Sequence, residues 1–104
     1  MTISGVGKAV RGSTTGRPIM VALDLLGRRA TLRILWELRA DPLTFRALQD
    51  ACETNPRLLN TRLAELRDVE LVEHAVGGYR LTAQVRRLLA AMQPLYDWAQ
   101  DWAS

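Results

Sequence analysis

Cysteine occurs once in these 104 residues, and so does histidine. A lone thiol cannot close a disulfide within the chain, and one thiol beside one imidazole is too small a donor set for a Cys/His zinc centre. No apolar run reaches the ~20 residues that cross a bilayer, and the N-terminus has neither a secretory hydrophobic region nor a cleavage pattern. A cytoplasmic protein is therefore expected. The sequence also lacks a histidine placed with an identifiable nucleophile, a glycine loop able to cradle phosphate, and a carboxylate pair of recognisable spacing. These gaps argue against an enzyme, and no cofactor or metal is expected.

Lysine is almost missing as well: of the 14 basic residues only Lys8 is not an arginine. Arginine is the cation suited to bidentate contact with phosphates and guanine edges. The net charge is +3, and Lys8, Arg11 and Arg17 supply all of it, because residues 1–17 contain no acid and the remainder is formally neutral. Any basic surface must therefore arise by segregation in space. Along the chain Arg28, Arg29, Arg33, Arg39, Arg46, Arg57, Arg62 and Arg67 precede an acidic stretch at Asp68, Glu70 and Glu73.

With 48% hydrophobic residues the chain has enough apolar surface for one small core, and domains of this size often gain further burial by oligomerising. Residues 1–17 are rich in Gly, Ser and Thr and are expected to form a flexible basic arm; the domain proper should span 18–104. "PIMVALDLLG" reads as a short helix with Pro18 in its first turn and Gly27 at its end. "RRATLRILWELRA" gives a second helix with Leu32, Leu35, Trp36 and Leu38 on one side. Asp41-Pro42 breaks it. Thr44 then caps a third helix, with Phe45, Leu48 and Cys52 turned inward. "NPRLLNTRLAELRDV" makes a fourth, over about 55–69.

The period changes at "LVEHAVGGYRL", where two β-rich runs flank Gly77-Gly78 and predict a hairpin. A turn on those glycines pairs Val76 with Tyr79, Ala75 with Arg80 and His74 with Leu81. Val72, His74, Val76, Tyr79 and Leu81 then share one face. Thr82 is the expected cap of a last helix, which Pro94 either kinks or divides. His74 is expected at the edge of the core. The fold class is mainly α with a small β-hairpin: the winged helix-turn-helix plan.

At about 100° per residue, Leu59, Leu63 and Leu66 form the buried stripe of the fourth helix. Arg57, Thr61 and Ala64 point away from it, with Asn60 and Arg67 on a flank. Guanidinium, amide and hydroxyl are the groups that read base edges in the major groove, and the first turns of such a helix are where reading occurs. Arg62 borders the buried stripe, which leaves two roles open to it: a structural ion pair or a phosphate contact. Leu95, Trp98 and Trp102 form a stripe near the end of the chain that suits burial against a second copy. The expected function is a sequence-specific regulator binding double-stranded DNA as a homodimer, on an inverted-repeat operator. The alternative is a winged-helix interaction or dimerisation module that does not bind DNA.

The blocks "ALDLLGRRATLRILWEL", "PLTFRALQDAC", "NPRLLNTRLAELRDVELVEH" and "GGYRLT", in that order over about residues 18–103, resemble the HxlR-type branch of the winged helix-turn-helix transcriptional regulators. The resemblance implies a homodimer joined by its N- and C-terminal helices, with recognition helices in successive major grooves. Some members respond to small molecules or to thiol oxidation, but the sequence names no effector here. Asn55, Arg57, Asn60, Thr61 and Arg62 fall at the family's recognition-helix positions, and Thr44 and Arg46 where the preceding helix meets the DNA backbone. Three departures stand out. Ala30 replaces the family's usual tryptophan, so a large side chain is missing at the second helix, leaving space, a ligand site or a weakened core. Glu70 stands where glycine would end the fourth helix more cheaply. The wing tip carries no cation, so Arg80 at its base is the one wing residue placed to touch a phosphate. Cys52 has no flanking cation to lower its pKa, which favours a buried thiol over a redox switch.

Overall fold

Proline decides where the first helix begins. Pro18 has no N–H to waste at a helix start, and the carbonyl of Arg17 accepts the Val21 amide at 3.0 Å. The computed structural model describes residues 17–104, so the arm expected over 1–17 lies outside the described residues except for Arg17. The elements are α1 (Pro18–Leu26), α2 (Thr31–Glu37), α3 (Phe45–Cys52), α4 (Pro56–Asp68), β1 (Val72–Ala75), β2 (Gly78–Leu81) and α5 (Val85–Ala103). Helices α1 to α4 followed by a two-stranded antiparallel wing and a long closing helix form the mainly α winged helix-turn-helix fold.

The core is a leucine cluster. Ile34 and Leu35 of α2, with Leu38 just after it, meet Leu48 and Cys52 of α3, Leu59, Leu63 and Leu66 of α4, and Leu71, Val72 and Val85 from the wing and the start of α5. Fully burying one such leucine stabilises the fold by about 1.5–3 kcal/mol, so α4 alone, with three, is firmly fixed from behind. The inward side of α2 differs from the expected one. Thr31, Ile34 and Leu35 are its buried set, followed by the buried Leu38 at its end, whereas Leu32 and Trp36 are only half-buried. Trp36 lies instead beneath α5, stacked on Tyr96 at 5.3 Å between ring centres, with the Arg39 guanidinium 4.2 Å above its own ring.

Several helix ends are held in left-handed backbone. Glu53 ends α3 at φ 52°, with its N–H and that of Thr54 donating to the carbonyls of Asp50 and Gln49. Glu70 follows α4 at φ 63°, the conformation expected where glycine is absent. The next amide, Leu71, donates back to Leu66 at 2.9 Å, and the Thr82 hydroxyl donates to the Glu70 carbonyl at 2.6 Å. Thr82 therefore braces the end of α4 and does not cap α5 with its side chain; α5 starts after Gln84. Ala30 stands before α2, not within it, at φ 74°, half-buried and packed against the core.

The hairpin register is Val72↔Leu81, Glu73↔Arg80, His74↔Tyr79 and Ala75↔Gly78, so the turn is Val76-Gly77. That slides the pairing by two residues from the expected one. A two-residue slide preserves the faces, and Val72, His74, Tyr79 and Leu81 do share a side. His74 is exposed, stacked on Tyr79 at 4.4 Å and not opposite Leu81. The cause of the slide is Gly78. Leu43 and Tyr79 exchange backbone hydrogen bonds of 3.0 and 2.8 Å, which brings the chain before α3 against the wing. A Cβ on Gly78 would sit 2.2 Å from the Leu43 carbonyl oxygen, and Gly78 has φ 125°. Its hydrogen side chain serves that close approach, and Gly77, at φ 92°, serves the turn. Helix α5 runs without interruption through Pro94 from Val85 to Ala103.

Candidate nucleic-acid interface

Helices α3 and α4 begin alike, each on a side-chain cap. The Thr44 hydroxyl oxygen accepts the Ala47 amide at 3.2 Å, and Asn55 Oδ1 accepts the Leu58 amide at 2.8 Å, with Pro56 next in line. Those oxygens are committed to the helix starts. What Thr44 and Asn55 still offer outward is a hydroxyl hydrogen and an amide NH2. The left-handed Glu53 makes the sharp corner between the two helices, a corner for which the sequence carries no glycine to advertise it.

With Leu59, Leu63 and Leu66 buried, the opposite side of α4 is exposed at Arg57, Asn60, Thr61 and Ala64. Spacings of three and four residues put these on one strip. The exposed Thr61 donates its hydroxyl to the Arg57 carbonyl at 3.0 Å, so that proton is committed to the helix and the methyl is its remaining apolar group, of the kind that fits against a thymine methyl. The side chains of Arg57 and Asn60 have no hydrogen bond or ion pair among the described residues.

The other basic residues divide into engaged and open ones. Arg33 pairs with Glu37 at 2.8 Å and donates to the Ala51 carbonyl; the Glu37 contact raises its pKa further. Arg39 lies over Trp36 and donates to its carbonyl. Arg46 is well exposed and only 3.9 Å from Asp50, a loose surface pair of little energy. Arg80 is tied to Glu73 directly across the hairpin. Arg62 turns away from the exposed strip: Nε donates to the Arg29 carbonyl at 2.9 Å, and the guanidinium contacts Glu65 at 3.0 Å. Of the two roles its position left open, its contacts are those of the structural one. At the wing tip Val76 is 99% exposed with no cation beside it.

Cys52 is buried, and desolvation pushes its thiol pKa up to about 11; Glu37 pushes the same way and Arg33 opposes. The neutral thiol is favoured, so the group is a poor nucleophile at physiological pH. The native protein at pH 8 is expected to react with a thiol reagent at a small fraction of its rate in denaturant. Equal rates in the two conditions, followed spectroscopically, would show the thiol to be accessible. Because the folded pKa is raised, the neutral thiol's contribution to stability holds below the unfolded value, near 9, and is lost as pH climbs toward about 11.

Beyond the strip, large apolar side chains lie exposed on the first and last helices. α1 shows Ile19, Met20 and Leu23, and α5 shows Leu95, Trp98 and Trp102, with the two tryptophans 57% and 74% exposed. Trp98 and Trp102 stack on each other at 5.3 Å and 11°. No helix among the described residues is long and apolar enough to cross a membrane.

Comparison with known proteins agrees with this geometry. Residues 25–104 match the model of a family described as HxlR-like helix-turn-helix. Over 83 residues, 75% of this chain and 78% of the other, the chain is 26% identical to an uncharacterised HTH-type transcriptional regulator of Methanocaldococcus jannaschii. Among solved structures it is similar to the quinone-bound YodB from B. subtilis, with a TM-score of 0.75 and 31% identity, covering 80% of this chain and 96% of that one.

Proposed function

The chain belongs to the HxlR-like helix-turn-helix family, a family of transcriptional regulators, and on that premise we propose that it is a cytoplasmic homodimer that reads double-stranded DNA with α4 in the major groove. The observation that carries this reading is the leucine-backed helix whose exposed strip holds an unpaired guanidinium and an unpaired amide, Arg57 and Asn60, beside the exposed Thr61. Arg57 reads guanine, Asn60 adenine and Thr61 a thymine methyl. Thr44 and Arg46 at the start of α3, and the Asn55 amide, meet phosphates and set the register. Arg62 and Arg80, each already held by a carboxylate, contribute less than the sequence suggests.

The exposed apolar residues of α1 and α5 form the seam between two copies, and the two-fold axis so made calls for an inverted-repeat operator. The quinone carried by the structural relative supports a small-molecule effector as a further input. Nothing in this scheme requires catalysis.

Selection of genomic fragments on the purified protein should enrich an inverted repeat. On that site Arg57→Ala costs on the order of 1–3 kcal/mol and relaxes base preference at one position of each half-site. If cognate and scrambled duplexes weaken equally, Arg57 touches only the backbone. Retention on random duplex across a salt gradient separates DNA binding from a protein-interaction role: a DNA binder elutes late with a steep salt dependence.

A further inference from the structure

We infer that Glu65, together with Arg28 and Arg62, is a positioning device that sets the angle of the reading helix against the dimer seam. The inference rests on the DNA-reading role proposed for α4. The Glu65 carboxylate is shared by two guanidiniums: Oε2 is 2.9 Å from Arg28 and Oε1 is 3.0 Å from Arg62. All three side chains are mostly covered, at 16%, 25% and 17% exposure, so they are screened far less than the loose pair at Arg46. Arg62 adds a third tie, through Nε to the carbonyl of Arg29.

These contacts grip the corner between α1 and α2. Leu25, Leu26 and Ala30 seat the inner side of the corner on the core, while on its outer side Gly27 and Arg29 are exposed and the turn closes through Thr31 N–H to the Arg28 carbonyl at 3.2 Å. Hydrogen bonds between ionised groups are directional and roughly twice as strong as neutral ones. One carboxylate on α4 thus holds both arginines of the corner from which α1 departs, one by its side chain and the other, through Arg62, by its carbonyl. α1 carries the exposed Ile19, Met20 and Leu23 of the seam. The network therefore joins the helix that reads bases to the surface that sets the distance between two such helices. Glu65 and Arg62 touch no DNA in this scheme; they act through the placement of Arg57 and Asn60.

The test is affinity for the selected operator, for a scrambled duplex, and for operators with half-sites moved one base pair apart or together. Glu65→Gln keeps the shape and removes the charge. It is expected to lower the operator-to-scrambled affinity ratio roughly tenfold and to blunt the preference for the native spacing, while binding to scrambled duplex and its salt slope stay unchanged. Glu65→Asp, which keeps the charge, recovers part of the ratio. Circular dichroism checks folding; should Glu65→Gln fail to fold, Arg28→Met, which leaves the Arg62–Glu65 pair intact, carries the same comparison. The inference is overturned if the folded variant keeps the wild-type ratio and spacing preference. It is also overturned if Arg62→Met weakens both duplexes alike and cuts the salt slope by about 0.9, the signature of a lost phosphate contact. A wild-type protein that prefers no duplex and shows no salt dependence would instead remove the DNA-reading role itself.

Discussion

Gly78→Ala unfastens the wing. The added methyl must meet the Leu43 carbonyl at 2.2 Å, an impossible separation against rigid backbone, and the residue sits at φ 125°, which an L side chain rarely adopts. Relief requires breaking the Leu43–Tyr79 bridge, whose two hydrogen bonds tie the chain before α3 to β2. Strain and lost bonds together are expected to cost about 3 kcal/mol or more, a fall in thermal midpoint on the order of 15 °C for a domain of this size. The control is next door. A methyl on Gly77 meets nothing within 4 Å, so Gly77→Ala suffers only from its φ of 92° and should cost about 1 kcal/mol. Thermal melts of both variants decide the matter: equal losses would mean that the approach of Leu43 contributes nothing.

Replacing Trp98 and Trp102 together by alanine is expected to leave a folded monomer. Both rings are largely exposed and lean on each other, not on the core, so their removal opens no cavity within the domain. In the proposed dimer they are the large aromatic anchors of the seam, and truncating such an anchor costs on the order of 2 kcal/mol per sequence position, both copies together, so the dissociation constant should rise by about a thousandfold for the two positions. Sedimentation across a concentration series reads this directly. The operator affinity should fall with the dimer, since two half-sites are no longer held by one particle. A double variant that still sediments as a dimer places the seam elsewhere, with Ile19, Met20 and Leu23 of α1 next in line.

The helices were legible because their causes are local. Pro18, Thr44 and the Asn55-Pro56 pair mark starts that the structure reproduces, and the leucine spacing at 59, 63 and 66 is the buried side of α4. Even the left-handed Glu70 follows from a helix end that lacks glycine. What could not be read depends on residues far away in sequence. The two glycines of the wing suggest a turn centred on both, but Gly78 answers to Leu43, so the register slides. Thr82 looks like a cap until the Glu70 carbonyl is found beside it. The fate of Arg62 depended on the carbonyl of Arg29, on another helix corner, and no spacing rule reports that. For α2 the error was angular: Ile34 and Thr31, not Leu32 and Trp36, face the core, because Trp36 is claimed by Tyr96 of α5. The exposed strip of α4 was visible in full, yet the number of arginines truly open to a ligand was not, since Glu37, Glu65 and Glu73 each hold one or more.

Pro94 lies midway along α5, where it cannot donate to the Ala90 carbonyl, and the helix there is missing a rung. The stretch beyond it is moored sideways, by the Trp36–Tyr96 stack to α2. In the proposed dimer the domain then has two working parts coupled through that stack: bases are read on α4, and the spacing between copies is set beyond the proline. Exchanging Trp36 or Tyr96 is a way to change that spacing while leaving every residue of the reading strip as it is.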